Sequence, residues 1–228
     1  MKLKNNGIFI IGTGTDVGKT YISGLILKNL INKGIKANYY KAVASGNPIV
    51  DNKLTIADAE CVKKISGTNQ DVRSMISYVY KDAISPHLAG RNENNFVNLD
   101  VIKHDYKEIQ KISDFVVVEG SGGILCPIVY ENNSKIWLED IVKLLDIPVL
   151  IVADAGLGTI NATGLTVHYL KQKSHKIKGI ILNKYDSQNT MHVDNKLMIE
   201  ELTQIPVVAC VGDQCRDIEY FDGFSLTK

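Results

Sequence analysis

The chain reads Gly12-Thr13-Gly14-Thr15-Asp16-Val17-Gly18-Lys19-Thr20 between an apolar run at residues 8–11 and an amphipathic run at residues 21–31. The apolar run predicts a buried strand, and the amphipathic run predicts a helix. A glycine-rich turn between them lets the backbone approach an anion, whose charge the helix N-terminus and a lysine both attract. The pattern therefore predicts a phosphate-binding loop, in which Thr20 has the hydroxyl that such loops offer to magnesium.

This loop differs by one residue from the usual phosphate-loop pattern. That pattern is G-x-x-x-x-G-K-[ST], and it would require a glycine at Thr13. Here the first glycine is Gly12, so the loop is one residue longer than the standard form. Gly-Lys-Thr also occurs where a threonine caps a helix, but the strand before it and the helix after it favour nucleotide phosphate binding.

Length and composition predict a single P-loop α/β domain over residues 1–228. A chain of 228 residues and 25.2 kDa can bury roughly three quarters of its unfolded surface in one such domain. The hydrophobic content of 45% and the charged content of 22% are ordinary for a globular protein. A net charge of +1 predicts no binding to nucleic acid or to an anionic membrane, so anion recognition must be local.

The start of the sequence and the cysteines favour a cytoplasmic location. Residues 1–6 are basic, but the apolar run that follows is too short for a signal peptide or a membrane span. The cysteines lack a zinc-binding spacing, and we expect them to be reduced and mostly small core residues. They are Cys61, Cys126, Cys210 and Cys215.

The rest of the chain alternates between predicted strands and helices. Further strands are predicted over residues 37–41, 75–80, 114–118, 148–154, 177–182 and 207–211. Further helices are predicted over residues 54–65, 98–112, 137–145, 162–171 and 191–202, with a proline-fixed turn at Ser85-Pro86-His87. Strands separated by helices predict parallel pairing. The predicted fold class is α/β with three layers, a central and mainly parallel sheet flanked by helices.

Several charged and polar residues lie at the predicted ends of these strands. Lys41 and Glu119 each end a strand, and Asp58 lies in the first turns of a helix. Each has an ordinary explanation, because strand-exit lysines are usually solvated and carboxylates favour helix N-termini. Their common location argues for function, because ligands of such sheets bind outside the carboxyl ends of the strands. We expect one site for a triphosphate and magnesium, formed by Lys19, Thr20, Lys41, Ser45, Asp58, Glu119 and Asn183.

With these residues the chain resembles the dethiobiotin synthetases, enzymes of biotin synthesis. The resemblance runs from residue 7 to about residue 206 in the right order, and it includes the family's own long phosphate loop. The other matching stretches are Tyr40-Lys41-Ala42-Val43-Ala44-Ser45-Gly46, Asp58-Ala59, Ser85-Pro86-His87, Val118-Glu119-Gly120-Ser121-Gly122-Gly123, residues 156–161 and Asn183. This combination is far more specific than the phosphate loop alone, and it implies a P-loop NTPase-like fold.

The resemblance implies an ATP-dependent cyclo-ligase that forms C–N bonds. In this family one amine of 7,8-diaminononanoate takes up CO2 to form a carbamate, which ATP phosphorylates to a carbamic-phosphoric anhydride. The second amine then attacks to give dethiobiotin, a cyclic urea, with release of ADP and phosphate. Phosphoryl transfer depends mainly on positioning and charge neutralisation, for which Mg²⁺ is the implied cofactor.

The resemblance also implies roles for individual residues. Lys19 would bind the β- and γ-phosphates, Thr15 would lie beside the γ-phosphate, and Lys41 would act on the carbamate and the transferred phosphate. Ser45 would contact the diamine. Magnesium would be held by Thr20, Asp58 and Glu119. The implied nucleotide contacts are Asp16, Val17, Gly18, Lys19, Thr20, Tyr21, Asp58, Glu119, Gly120, Ser121, Gly122, Asn183 and Lys184.

Members of the resembled family are homodimers in which the substrate tail reaches the neighbouring subunit. The turn at residues 156–161 would then present backbone N–H groups to the tail carboxylate. The implied tail contacts are Gly156, Leu157, Gly158 and Asn161.

The chain departs from the family pattern at three places. Asp16 stands where many members have glutamate. Residues 207–214 lack the proline that commonly shapes the adenine loop. Asn183-Lys184-Tyr185-Asp186 matches the N-K-x-D form by which GTPases bind guanine. The resemblance favours ATP as the nucleotide, and the sequence leaves GTP and CTP open.

Two other functions fit part of the pattern. A partner-regulated ATPase or GTPase switch of the plasmid-partition type shares the fold, but its loops carry a second lysine at the place of Gly14. The segment at residues 41–46 also has no purpose in such a switch. A related amide-forming synthetase would need a glutamine-hydrolysing domain or an ammonia source, and the chain has no room for the former.

Overall fold

The computed structural model of the protein describes residues 7–50 and 53–227, with the backbone alone for Lys53. Its strands are β1 (Gly7–Gly12), β2 (Ala37–Ala44), β3 (Ile49–Val50), β4 (Lys53–Leu54), β5 (Ile76–Val79), β6 (Phe115–Gly123), β7 (Pro127–Glu131), β8 (Ser134–Trp137), β9 (Val149–Asp154), β10 (Ile177–Asn183) and β11 (Val207–Val211). Its helices are α1 (Lys19–Asn32), α2 (Ala57–Ser66), α3 (Pro86–Asn92), α4 (Leu99–Lys111), α5 (Leu138–Leu145), α6 (Thr159–Gln172) and α7 (Thr190–Thr203). The basic start, residues 1–6, lies outside the described residues.

Seven strands form the central sheet in the order β11-β10-β9-β1-β6-β2-β5, and all its pairings are parallel. The chain first builds one side of β1 with β2, β5 and β6, and then crosses to the other side with β9, β10 and β11. Ligands of doubly wound sheets bind where the direction of building reverses, outside the carboxyl ends of the strands. The predicted phosphate loop follows β1 at this place.

Helices cover both faces of the sheet because its central strands are apolar on both sides. In β1, Phe9 and Ile11 face one core while Ile8 and Ile10 face the other, and all four side chains are fully buried. The first core includes residues of α4, α5, α6 and α7, and the second includes residues of α1, α2 and the segment over residues 212–227. The predicted three-layer α/β fold is therefore confirmed. No helix in the described ranges has the length and apolar character needed to cross a bilayer.

Three helices differ from the sequence-based prediction, by more than two residues at their start or by being a helix at all. α2 begins at Ala57 and not at residue 54, because β4 pairs with β3 in a short antiparallel hairpin. α6 begins at Thr159, so the predicted turn is limited to residues 156–158. Ser85 is followed by a helix and not by a simple turn, since Pro86 occupies the first helical position, where its missing N–H costs little.

The hairpin of β7 and β8 was not predicted from the sequence. Its strands pair in antiparallel fashion and pack beside α3, where Arg91 donates to the carboxylate of Glu131 at 2.8 Å and to the carbonyl of Tyr130 at 2.7 Å. Both strands are short, and Pro127 opens the first of them. Proline at a strand start removes no ladder hydrogen bond, but it weakens the local strand signal.

The four cysteines are free, as expected for reduced thiols. The prediction that most of them are core residues is wrong. Cys61 is exposed, and Cys126, Cys210 and Cys215 are half-buried.

Candidate active site

The phosphate loop joins β1 to α1 through positions that require glycine. Gly18 has a φ of 90°, in the left-handed region, and a Cβ there would lie 2.0 Å from Nδ2 of Asn183. A Cβ at Gly12 would lie 2.7 Å from the carbonyl oxygen of Gly14 and 2.8 Å from Nζ of Lys19. The loop curls around Lys19, whose Nζ donates to the Gly14 carbonyl at 2.9 Å.

Lys41 lies buried between two carboxylates. Its Nζ donates to Oδ2 of Asp58 and to Oε1 of Glu119, both at 2.6 Å. Lys41 and Glu119 are register partners on β2 and β6, so their side chains leave the sheet on the same face. The predicted strand ends at these two residues are wrong, because β2 continues to Ala44 and β6 continues to Gly123. Residues 120–123 therefore belong to the strand. Only 5% of Lys41 is exposed.

Thr20 brings a third oxygen-bearing side chain to this cluster. Its hydroxyl lies 2.8 Å from Oε1 of Glu119 and 3.1 Å from Oδ1 of Asp58. A hydroxyl has one proton, so it donates to one carboxylate at a time. The three side chains come from α1, α2 and β6, and parallel packing of the strands brings them together.

Opposite charges determine the protonation of the cluster. Burial alone would lower the pKa of Lys41, but Glu119 and Asp58 raise it above its ordinary value. Burial would raise the pKa of Asp58, but Lys41 and Thr20 hold it below its ordinary value. Burial lowers the pKa of Lys19, and Glu119 opposes that effect. Lys41 is therefore an ammonium group at neutral pH.

The donor atoms of the cluster suit magnesium. Thr20, Asp58 and Glu119 offer oxygen atoms, and Mg²⁺ typically takes one or two carboxylates and completes its shell with water and substrate phosphates. Within the described residues, no group of three or more His, Cys, Asp or Glu side chains is placed to hold a metal ion. The cluster therefore fits a metal ion that binds together with a nucleotide.

A cavity of about 600 Å³ opens over the cluster, within the usual range for small-molecule sites. The predicted site residues that line it are Thr15, Asp16, Gly18, Lys19, Thr20, Tyr21, Lys41, Ser45, Asp58, Glu119, Ser121 and Gly122. Ala44, Ala57 and Cys61 also line it and were not predicted. Val17 is buried below its surface, and Gly120 packs against Leu138 and Phe9.

Asn183 and Lys184 lie behind the phosphate loop and do not line this cavity. Nδ2 of Asn183 donates to the carbonyl of Val17 at 3.0 Å, and only 4% of the residue is exposed. Nζ of Lys184 lies 3.4 Å from the carbonyl of Asp16 and pairs with Asp154 at 3.0 Å. Both residues therefore hold the loop from the side of β10.

The turn at residues 156–158 also lies outside this cavity. Nδ2 of Asn195 donates to the carbonyls of Ala155 and Gly156, at 2.8 and 3.1 Å, and fixes the turn from α7. Leu157 at its tip is 94% exposed. Asn161 lies in the first turn of α6 and lines a separate groove between α6 and α7.

Two further residues, which hydrogen-bond residues of the site from behind it, were also not predicted from the sequence. Tyr39 is fully buried, and its hydroxyl donates to Oε2 of Glu119 at 2.8 Å. Its position two residues before Lys41 was a usable signal, because alternate residues of a strand share a face. Asn47 donates to the carbonyl of Ala44 at 3.1 Å and accepts from the backbone N–H of Ala57 at 3.2 Å, which joins the end of β2 to α2. No sequence pattern marked Asn47.

Solved structures with the same fold include a cell division protein complex and a ParA family ATPase. The MinC:MinD cell division protein complex of Aquifex aeolicus is 16% identical, covers 92% of this chain and 82% of that chain, and superposes with a TM-score of 0.57. A ParA family ATPase from Chlorobium tepidum is 14% identical, covers 92% and 85%, and has a TM-score of 0.54. At these identities the likeness establishes the fold alone, which is that of the P-loop NTPases.

Sequence relatives are much closer. A family model described as "AAA domain" matches residues 6–214. The "ATP-dependent dethiobiotin synthetase BioD" of Brachyspira hyodysenteriae is 52% identical over 206 residues, which are 90% of this chain and 91% of that protein. The protein of the same name from Clostridium novyi is 47% identical over 91% of this chain and 87% of its own length. The chain therefore belongs to the AAA-domain family and, within it, to the dethiobiotin synthetases.

Proposed function

We infer that this protein catalyses the ATP-dependent synthesis of dethiobiotin in biotin biosynthesis. It carboxylates 7,8-diaminononanoate with CO2, activates the carbamate with ATP, and closes the ring with release of ADP and phosphate. The single observation that carries the inference is the buried Lys41 ammonium, held by Asp58 and Glu119 beside the phosphate loop. A reaction that brings a carbamate to a triphosphate needs a second cation at this place.

Each side chain that lines the cavity has a role that its chemistry supports. Lys19 and the N-terminus of α1 attract the β- and γ-phosphates, and the hydroxyl of Thr15 lies on the rim where the γ-phosphate would enter. Lys41 neutralises charge that develops when the phosphoryl group reaches the carbamate oxygen. Ser45, which follows β2, contacts the diamine. The second amine then attacks the carbamoyl carbon, and the C–O bond to phosphate breaks.

Thr20, Asp58 and Glu119 would hold Mg²⁺. When bound, the ion neutralises the charge of the β- and γ-phosphates. The position of Glu119 is fixed before the ion binds, because the side chain is fully buried and both of its oxygens accept hydrogen bonds. Oxygens of Asp58 and Glu119 also hold Lys41, so the ammonium and the metal ion share the same two carboxylates.

A partner-regulated switch ATPase is less supported. Its representatives among the solved structures are under 20% identical, whereas the dethiobiotin synthetases reach 52%. The lysine that such switches carry five residues before the main one is replaced here by Gly14.

The purified protein, supplied with 7,8-diaminononanoate, bicarbonate, Mg²⁺ and ATP, is expected to release ADP and phosphate together with dethiobiotin. The product is measured by mass spectrometry, and phosphate by a coupled assay. Equal amounts of ADP and dethiobiotin are expected, because one phosphoryl transfer activates one carbamate. Nucleotide hydrolysis that ignores the diamine and gives no cyclic urea would refute the enzyme assignment.

The same assay with GTP and CTP tests nucleotide preference. We propose ATP as the preferred nucleotide, in keeping with the name of the relatives. Two residues of the N-K-x-D segment bind the phosphate loop: the side chain of Asn183 donates to the carbonyl of Val17, and that of Lys184 donates to the carbonyl of Asp16. These donor groups are therefore engaged by the loop. ATP is therefore expected to give a higher kcat/KM than GTP or CTP, and equal values would mean that the base is not recognised.

We propose that the protein is a homodimer in which the turn at residues 156–158 serves the neighbouring active site. Exposed leucines on the turn and on the two helices α6 and α7 support the proposal, and those on the helices line one groove. Leu157 is 94% exposed, Leu165 on α6 is 63% exposed, and Leu202 on α7 is 60% exposed. Clustered exposed side chains of this kind mark protein interfaces more often than isolated ones do.

Leu165→Asp is expected to convert the dimer to a monomer, because a carboxylate at an apolar interface is desolvated without a partner. Light scattering after gel filtration measures the mass. Ile112→Asp is the matched control, since Ile112 follows α4 and is 56% exposed. A dimeric Leu165→Asp variant would remove this surface from the interface. A monomer with an unchanged KM for the diamine would refute the sharing of the site.

We further propose that residues 1–228 form one domain and that the enzyme acts in the cytoplasm. Two apolar cores on the faces of one sheet support a single domain. Four free cysteines are compatible with a reducing compartment.

A further inference from the structure

The two carboxylate oxygens of Glu119 have different surroundings. Oε1 faces the cavity side of the cluster, where it accepts from Nζ of Lys41 at 2.6 Å and from the hydroxyl of Thr20 at 2.8 Å. Oε2 points the other way and accepts from the hydroxyl of Tyr39 at 2.8 Å. The Glu119 side chain is 0% exposed, so water does not compete for either oxygen. The tyrosine hydroxyl therefore holds the oxygen of Glu119 that the cluster does not use.

Tyr39 is itself held at both ends. Its backbone N–H donates to Oε1 of Gln70 at 2.8 Å, and its carbonyl accepts from Nε2 of Gln70 at 2.9 Å. Gln70 is buried, and it takes the place of a neighbouring strand at Tyr39. The pairing of β2 with β5 begins only at Lys41. The ring is fully buried in the core beneath α1 and α2. The position of the Tyr39 hydroxyl is therefore fixed by its own surroundings and does not depend on Glu119.

The hydroxyl of Tyr39 is the donor in its hydrogen bond to Oε2 of Glu119. A neutral phenol that donates to a carboxylate orients it without removing its charge. Partners of this kind orient the ligands of metal sites and tune their affinity.

We propose that Tyr39 is a positioning residue for the divalent-cation site, and that its hydroxyl holds Oε2 of Glu119 so that Oε1 is directed to the metal beside Thr20 and Asp58. The proposal rests on the metal site of the proposed function. Without the hydroxyl, Glu119 keeps its charge and the contacts of Oε1 with Lys41 and Thr20, but Oε2 loses the partner that fixes the plane of the carboxylate. The loss is therefore expected in metal-dependent binding and not in binding of the nucleotide itself.

The test compares Tyr39→Phe with Tyr40→Phe. Tyr40 is the next residue of the same strand and is also fully buried, but it faces the opposite core, where its hydroxyl contacts Ser77 at 2.7 Å. Both variants lose one buried hydroxyl, and only one loses contact with the site. Calorimetry measures the affinity of a non-hydrolysable ATP analogue twice, once with Mn²⁺ and once with EDTA. Glu119→Gln serves as the reference for a damaged metal ligand.

Tyr39→Phe is expected to lose about 10-fold or more of its affinity in Mn²⁺, as outer partners of metal ligands commonly do, and to stay within about 2-fold of the wild type in EDTA. Tyr40→Phe should match the wild type in both. Equal losses in both tyrosine variants, or a loss of the same size in EDTA, would mean a general structural effect and overturn the proposal. Unchanged affinity of Tyr39→Phe in Mn²⁺ would overturn it too.

Two further outcomes separate this proposal from those on which it rests. If Glu119→Gln keeps its Mn²⁺-dependent affinity, the metal site is wrong and the role of Tyr39 falls with it. If the wild type binds the Mn²⁺ analogue through Glu119 and Tyr39 but forms no dethiobiotin, the proposed reaction fails and the positioning role stands. Thermal unfolding of each variant without ligand monitors folding, and the metal-dependent rise of the unfolding midpoint provides a second measure if Tyr39→Phe is too unstable for calorimetry.

Discussion

Lys41→Ala is expected to lower kcat for dethiobiotin formation by about 100-fold to 1,000-fold, the usual effect of removing one preorganised group that stabilises transition-state charge. Lys41 is a buried ammonium, 2.6 Å from each of two carboxylates, at the edge of the cavity that holds Lys19. Nucleotide affinity should change much less, because Lys19 and the loop N–H groups remain. Steady-state kinetics and calorimetry with the ATP analogue measure the two effects separately.

Removal of Lys41 should also affect stability. Breaking a buried ion pair by deleting one partner typically costs about 3–5 kcal/mol, because the other charges are left without compensation. Glu119 is fully buried and Asp58 is partly so, and they would then face each other without the ammonium. Mg²⁺ should therefore raise the thermal midpoint of Lys41→Ala more than that of the wild type.

Lys36→Ala is the matched control for this prediction. Lys36 is exposed and precedes β2, whereas Lys41 lies within that strand. The control should keep both kcat and stability close to those of the wild type. If Lys41→Ala has the same turnover number as Lys36→Ala, Lys41 has no part in catalysis.

Gly18→Ala is expected to weaken ATP binding by up to about 30-fold to 150-fold, which corresponds to about 2–3 kcal/mol of strain and lost hydrogen bonding. Gly18 has a φ of 90°, which costs an alanine about 1–2 kcal/mol. The new Cβ would also lie 2.0 Å from Nδ2 of Asn183, so the amide must move and release the carbonyl of Val17, a loss of about 1 kcal/mol. The loop that presents its N–H groups to phosphate is thereby displaced.

Gly34→Ala separates the two causes. Gly34 also has a left-handed φ, 76°, but a Cβ there would meet no atom within 4 Å. This control should lose stability and keep its affinity for ATP. The double variant Gly18→Ala, Asn183→Ala removes the amide with which the Cβ collides, and it should recover part of the binding. Calorimetry measures the affinity of each variant for the ATP analogue. An unaltered affinity in Gly18→Ala would show that the phosphate loop tolerates displacement.

The sequence predicted the fold class well because the signals for it are local. Apolar residues at every position of β1 require cover on both faces, and alternation of such strands with helices leaves few arrangements other than a parallel sheet between two helical layers. The antiparallel hairpin of β7 and β8 escaped detection because its strands are short and half-exposed. Helix α2 begins later than predicted, because residues 53–54 pair with β3 as a strand and Leu54 does not follow its local preference for helix.

The candidate site was predicted less completely. One cavity is lined by six of the residues expected from the strand ends, namely Lys19, Thr20, Lys41, Ser45, Asp58 and Glu119. Asn183 and Lys184 were expected near the nucleotide, and they lie behind the loop. Tyr39 and Asn47 were absent from the expectation, because buried tyrosines and loop asparagines usually have purely structural roles.

The sequence by itself determined the phosphate loop, since its glycines, lysine and threonine act through contacts within a few residues of one another. Only the tertiary structure decided that Lys41 is buried between Asp58 and Glu119 and that Tyr39 donates a hydrogen bond to the latter. Lys41 and Glu119 are 78 residues apart and meet only because β2 and β6 pair in one particular register. A shift of that register by one residue would turn one of the two side chains to the opposite face of the sheet. No local pattern encodes such a register, because packing of the two cores selects it.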